Sequence, residues 1–114
     1  MKDFLSHIKN TLGCKGLRYV DAGKPVSKVA VGGGACGDML QDAYASGCDT
    51  FITSDIKYNT FREAYDLGIN IIDAGHFYTE APVCPYLAEK IQAAFPEVIV
   101  KLSEKQHDCT NFFL

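Results

Sequence analysis

The sequence contains no run of about eighteen apolar residues, so it predicts no membrane-spanning helix. Basic residues are not in excess either, because the net charge is -3 and the pI is near 5.5. Surfaces that bind nucleic acid are usually basic, and we therefore expect no nucleic-acid partner.

No two of the five cysteines form a Cys-x-x-Cys pair, a spacing typical of redox and zinc sites. The first residues, MKDF, lack the apolar segment of a signal peptide. An odd number of cysteines without a signal peptide indicates reduced thiols. We therefore expect a cytoplasmic protein.

Hydrophobic residues make up 47% of the 114 residues, which is enough for the core of a single domain over residues 1–114. Short apolar runs alternate with segments of helical periodicity. This alternation predicts an α/β fold, with a mostly parallel sheet and helices on its faces. The predicted helices lie near 3–12, 38–47, 58–67 and 82–95, and the predicted strands lie at 17–20, 28–31, 50–53, 69–73 and 98–102.

The stretch from Asn70 to Glu80 joins a buried strand to a glycine turn and then to two candidate metal ligands. We expect Thr79 to cap the next helix, so that His76 stays in the turn. An imidazole nitrogen and a carboxylate oxygen suit Zn²⁺, Mn²⁺ or Fe²⁺, although a metal site needs further ligands. The alternative is a surface histidine beside an acid that is favoured by the helix dipole.

A glycine cluster follows the second predicted strand and matches G-x-G-x-x-G. One hypothesis is a Rossmann-like nucleotide-binding turn, with Asp55 as the acid that contacts a ribose. Another is a loop whose backbone N–H groups bind an anion, and a third is a plain tight turn. The glycines of this loop are Gly32, Gly33, Gly34 and Gly37.

Asp55 and Lys57 follow the third predicted strand and should reach the same sheet edge as the glycine loop and His76. They either line a shared cleft there or act as a helix cap and a solvated charge.

Three stretches of this sequence, residues 29–40, 51–58 and 71–80, occur together in the order VAVGGGACGDML, FITSDIKY and IIDAGHFYTE. In this order and spacing they resemble the carboxyl-terminal half of the GTP cyclohydrolase type 2 homolog family, also called the Ngg-one-interacting-factor-three-like family. The closing Asn111–Leu114 also resembles that family's terminal segment. We expect its apolar residues Phe112, Phe113 and Leu114 to pack against the domain.

The resemblance implies a dinuclear metal site built from both halves of the family domain. His76 and Glu80 match the ligands of the second half, and Asp73 would orient His76. The adjacent histidine pair of the first half has no counterpart among the three histidines here. Ser54 stands where the family usually has glycine, and Asn59 where it usually has histidine.

The implied activity is metal-dependent hydrolysis of a nucleotide such as GTP, with the triphosphate near the glycine loop and Lys57. The implied cofactor is a divalent metal, with two ions in the complete site. As partners we expect a second copy of this chain or the missing amino-terminal half. The competing hypothesis is a non-catalytic metal-binding or assembly module.

Overall fold

A four-stranded sheet in the order β1-β4-β3-β2 organises the computed structural model, which describes residues 1–113. Strands β2, β3 and β4 are parallel, and β1 runs antiparallel to β4. The mostly parallel α/β sheet that the sequence predicts is thereby confirmed. The strands are β1 Arg18–Val20, β2 Val29–Val31, β3 Thr50–Thr53 and β4 Asn70–Asp73.

Five α-helices connect and flank these strands in the described part of the chain. They are α1 Lys2–Leu12, α2 Leu40–Ala45, α3 Tyr58–Leu67, α4 His76–Glu80 and α5 Val83–Ala94. A 3-10 turn, Gly37–Met39, precedes α2, so this helix is shorter than predicted. Helix α3 ends, as expected, at Gly68, whose φ of 76° accommodates the left-handed cap.

The two central strands are buried on both faces, because successive side chains point to opposite sides of the sheet. Phe51 and Ile71 pack with α2 and α3 on one face. Ile52 and Ile72 pack with Ile8 of α1 on the other face. The continuous apolar runs of β3 and β4 follow from this double coverage.

The carboxyl-terminal region departs from the prediction. Residues 98–102, expected to form a fifth strand, have no strand structure, and Ile99 is 82% exposed. An apolar run becomes a strand only beside a pairing partner, and the chain described here places none next to it. No residue of α5 is buried, so this helix does not cover the sheet as a helix on its face would.

Two large apolar side chains of the 3-10 turn and of α2 are also exposed. Met39 and Tyr44 are about half exposed, whereas Leu40 and Ala43 are buried. The 3-10 turn rotates the first residues out of the helical phase that the prediction assumed. Over residues 1–113, no helix has the length and apolar character to cross a membrane.

Candidate functional site

Three loops meet at the carboxyl edge of the parallel strands. The glycine loop follows β2, Asp55 follows β3, and His76 follows β4. Parallel strands deliver the loops that follow them to one edge of the sheet, as the sequence argument assumed. The candidate residues from these three segments are therefore neighbours.

Helix α4 begins earlier than predicted, at His76, with Gly75 as its N-terminal cap residue at φ 84°. Thr79 is therefore inside this helix and is not a cap. Its hydroxyl donates to the carbonyl of His76 (3.1 Å) and accepts from the backbone N–H of Gly34 (2.9 Å). His76 and Glu80 consequently lie one turn apart on the same face of a helix, rather than on a loop and a following helix.

The His76 ring lies between two carboxylates. Its Nδ1 is 2.6 Å from Asp55 Oδ2, and its Nε2 is 3.1 Å from Glu80 Oε2. The hydrogen bond to Asp55, followed by the negative charge of Glu80, raises the pKa of His76 above its ordinary value. A carboxylate on Nδ1 holds the proton there, which leaves Nε2 as the nitrogen that can bind a metal.

Asp73, which the sequence analysis assigned to orient His76, has other contacts. Its carboxylate accepts from the N–H of Ile56 (3.1 Å) and of Gly75 (3.1 Å), and it pairs with Arg18. Asp73 is only 7% exposed. These contacts join β1, β4 and the loop after β3, while the contact with His76 comes from Asp55.

The glycine loop packs directly against α4. A methyl group at Gly34 would overlap the Glu80 carboxylate, and one at Gly33 would lie 3.0 Å from the carbonyl oxygen of Thr79. Gly34 also has a φ of 72°. The loop therefore needs glycine because a helix lies against its backbone.

Part of the hydrogen-bonding capacity of this loop is used inside the protein. The N–H of Gly32 donates to Ile52, that of Gly34 to Thr79, and that of Cys36 to Thr53. These bonds leave fewer N–H groups for an anion. Anion binding by Gly32, Gly33, Gly34 and Gly37 stays a prediction.

Lys57 is the residue that precedes helix α3, and together with Asp55 it lines a cavity of about 310 Å³. Asp38 and Gly37 line the same cavity. Lys57 and Asp55 therefore line the same cavity and are both exposed, but His76 does not line it, and binding of a ligand there stays a prediction. The Asp55 carboxylate faces His76, which is not the contact that a ribose-binding acid would make.

The segment after α5 forms one wall of a larger cavity, of about 570 Å³, whose opposite wall is α4. In this segment the Asp108 carboxylate accepts from the backbone N–H of Thr110 (2.9 Å), and Lys15 Nζ donates to the carbonyl of Thr110 (2.9 Å). Burial, followed by the charge of Asp108, raises the pKa of Tyr78.

The sequence analysis missed this cavity, and no local pattern marks it. Its lining includes His76, Phe77, Glu80, Cys84, Gln106 and His107. The tail reaches the site through contacts with residues far away in the sequence. Phe112 returns to within 3.6 Å of a methyl position on Gly16, whereas Phe113 is fully exposed, and the predicted packing of Leu114 lies outside the described residues.

The donor atoms of His76 and Glu80 fit a divalent metal. Two ligands at about 2.0–2.1 Å from a tetrahedral ion lie about 3.3 Å apart, close to the 3.1 Å between Nε2 and Oε2. Within residues 1–113, no three His, Cys, Asp or Glu side chains are grouped so that they could hold an ion together. The described chain therefore offers two candidate ligands, and a complete metal site would need further ligands from elsewhere.

Comparison with known proteins defines the class to which this α/β domain belongs. The family model of Duf34/NIF3 (NGG1p interacting factor 3) matches residues 1–108. The chain therefore belongs to the Duf34/NIF3 family, and the resemblance drawn from its three motifs is confirmed.

Two curated relatives carry the name GTP cyclohydrolase 1 type 2 homolog. The protein of Nostoc sp. is 37% identical over 89 residues, which cover 78% of this chain and 34% of the relative. The protein of Clostridium perfringens is 36% identical over 91 residues, which cover 79% of this chain and 35% of the relative. The chain thus spans about a third of the length of these relatives.

Solved structures show the same fold within longer chains. A hypothetical protein of Staphylococcus aureus superposes with a TM-score of 0.90 at 25% identity, over 99% of this chain and 39% of that one. A Bacillus cereus protein related to NIF3 superposes with a TM-score of 0.78 at 33% identity, over 97% of this chain and 32% of that one. Which part of the family domain the chain represents stays a prediction.

Proposed function

We propose that this chain supplies two protein ligands, His76 and Glu80, to a divalent-metal site. The observation that carries the proposal is the line of three side chains at the sheet edge. Asp55 holds Nδ1 of His76, and Nε2 lies 3.1 Å from a Glu80 oxygen. In protein metal sites, a histidine that binds the metal through one ring nitrogen typically donates from its other ring nitrogen to a carboxylate.

The ion we propose is zinc, manganese or iron, because the ligands combine an imidazole nitrogen with a carboxylate oxygen. Two protein ligands leave most of the metal's coordination to water, so we expect weak binding by this chain alone. In the complete family site, the resemblance implies two ions and further ligands from the amino-terminal half.

For the complete protein we propose metal-dependent hydrolysis of a nucleotide, in keeping with the name that the relatives carry. A pair of bound divalent ions supplies a water of lowered pKa and stabilises the negative charge that develops on oxygen. In this chain, His76 and Glu80 bind the metal and Asp55 orients the imidazole. We expect no GTP turnover by this chain alone.

Calorimetry with MnCl₂ tests the metal site. Manganese is a sharper probe than zinc here, because five free thiols would also attract Zn²⁺. We expect weak Mn²⁺ binding by the wild type and none by His76→Ala or Glu80→Gln. The matched control is His7→Ala, since His7 is an exposed histidine on α1.

The circular dichroism spectrum should be the same in all four proteins, because His76 and Glu80 are exposed and contribute little to the core. Equal Mn²⁺ affinity in wild type and His76→Ala would show that His76 is not a ligand. It would remove the basis of the proposed function.

A second candidate function is assembly, and helix α5 favours it. Its apolar stripe of Val83, Leu87 and Ile91 is 45–50% exposed, and the following Phe95 is 55% exposed. Contiguous apolar patches of this kind mark interaction surfaces. The occupant we expect is a second copy of this chain or the missing half of the domain.

Light scattering at high protein concentration tests assembly. We expect a dimer or a larger species for the wild type and a shift toward monomer for Leu87→Glu. Ala93→Glu places the same charge on α5 outside the stripe and is the control. A wild type that stays monomeric would refute self-association and leave the missing half as the occupant to test by mixing.

A further inference from the structure

Asp55 has the most unusual backbone conformation in the structure. In the range 1–113 it is the sole residue other than glycine with a positive φ, at 53°. A side chain in this left-handed region brings Cβ too close to the following carbonyl oxygen, a cost that glycine avoids. Strain of this kind persists where the surrounding structure enforces it, and it often accompanies function.

The two neighbours of Asp55 explain how the strain is enforced. Ser54 is fully buried, and its N–H donates to the carbonyl of Gly34 (3.0 Å). Ile56 is also buried, and its N–H donates to Asp73 (3.1 Å). With both neighbours fixed, the backbone turn between them falls on Asp55 alone.

The Asp55 side chain itself is 58% exposed, so no core packing explains why an aspartate stands at this position. Its one side-chain hydrogen bond within residues 1–113 is with His76, from Oδ2 to Nδ1 at 2.6 Å. Glycine would adopt the positive φ at this position with less strain, but it would lack the carboxylate that binds His76.

We propose that Asp55 is a positioning residue, which sets the ring orientation and the tautomer of His76 from a strained turn. In the neutral ring the two carboxylates compete for the proton, and the shorter contact, 2.6 Å from Nδ1 to Asp55 against 3.1 Å from Nε2 to Glu80, favours the proton on Nδ1 and leaves the lone pair on Nε2. The proposal rests on the proposed function for its purpose, because metal binding needs that lone pair. The orientation and the tautomer of the His76 ring can nevertheless be measured without any metal.

Three substitutions separate positioning from a purely structural role: Asp55→Gly, Asp55→Ala and Asp55→Asn. The glycine variant removes both the strain and the carboxylate. The alanine variant keeps the strain and removes the carboxylate. The asparagine variant keeps an oxygen that can accept from Nδ1–H, and asparagine, like aspartate, adopts left-handed backbone more readily than alanine does.

The first measurement is the nitrogen-15 NMR spectrum of the histidine ring, without metal, at a pH where the ring is neutral. We expect the Nδ1–H tautomer for His76 in the wild type, a weaker preference in Asp55→Asn, and loss of it in the glycine and alanine variants. His107, whose Nδ1 lies 3.0 Å from the Lys105 carbonyl oxygen, is an internal reference that should not change.

The second measurement compares melting temperature with Mn²⁺ affinity. Relief of strain should make Asp55→Gly melt roughly 4–8 °C above Asp55→Ala. Both variants should nevertheless bind Mn²⁺ about 10–100-fold more weakly than the wild type, with Asp55→Asn in between.

An unchanged tautomer in Asp55→Ala would overturn the positioning role, as would metal affinities that simply follow the melting temperatures. If the tautomer changes but the wild type binds no Mn²⁺, positioning stands and the proposed metal function fails. The two proposals can therefore fail separately.

Discussion

Replacing Asp73 by alanine should destabilise the fold more than any change to the exposed site residues. The substitution removes the acceptor of the buried N–H of Ile56 and of the partly buried N–H of Gly75. A buried donor left without its acceptor costs about 1–3 kcal/mol, and the partly buried N–H of Gly75 lies at the lower end, at about 1 kcal/mol, so the two together cost about 2–4 kcal/mol. The pair with Arg18 adds little, because the arginine side chain is 59% exposed.

Urea denaturation measures this loss. A cost of about 2–4 kcal/mol is a large part of the roughly 5–15 kcal/mol that stabilises a typical domain, and it should lower the melting temperature by roughly 10–20 °C. Asp73→Asn keeps one oxygen acceptor and should lose about half as much. The matched control is Asp66→Ala, which breaks the exposed pair with Arg62 and should cost under about 1 kcal/mol.

If Asp73→Ala proved as mild as Asp66→Ala, the structural role of Asp73 would be refuted. The carboxylate would then be free to act toward His76, as the sequence argument supposed. Equal Mn²⁺ affinity in Asp73→Asn and wild type would confirm the opposite assignment, in which Asp55 has that role.

Three further predictions concern the site. The hydrogen bond to Asp55 raises the pKa of His76 in the folded state above the ordinary value of 6.5. The contact between protonated His76 and Asp55 therefore stabilises the fold fully below pH 6.5, and this stabilisation is lost as the pH rises through the higher pKa of the folded state. Urea titrations across this pH range should show the loss in the wild type and not in His76→Ala. Gly34→Ala should weaken Mn²⁺ binding, because the added methyl group displaces the Glu80 carboxylate. The control is Gly23→Ala, which has a similar φ of 77° and nothing within 4 Å, so it should lower stability without changing Mn²⁺ affinity. Equal Mn²⁺ affinities of the two variants would contradict the contact between Gly34 and Glu80. Lys15→Met removes the donor to the Thr110 carbonyl and should loosen the tail without unfolding the core, so proteolysis after residue 100 should accelerate; unchanged cleavage would show that this bond does not hold the tail.

The central part of the fold could be predicted because its signals are local. The apolar runs of β3 and β4 are typical of strands covered on both faces, and Gly68 ends α3 where it was expected. The meeting of His76 and Asp55 at one edge follows from parallel topology alone.

The errors arise where a distant contact overrides a local preference. Threonine often caps helices, but Thr79 lies inside α4, where its hydroxyl accepts from the N–H of Gly34, 45 residues away in the sequence. The family resemblance implies that Asp73 orients His76, whereas in the structure Asp55 contacts the ring. The positive φ that turns Asp55 toward the ring belongs to a conformation that non-glycine residues seldom adopt.

The antiparallel pairing of β1 with β4 has a consequence for synthesis on the ribosome. Arg18 pairs with Asp73, 55 residues later in the chain. At a translation rate of about 5–20 residues per second, β4 is synthesised roughly 3–11 seconds after β1. Helix α1 waits as well, because Ile52 and Ile72, against which it packs, also come later. The amino-terminal segment therefore leaves the ribosome with its apolar side uncovered, and it can join the sheet only after Asp73 has emerged.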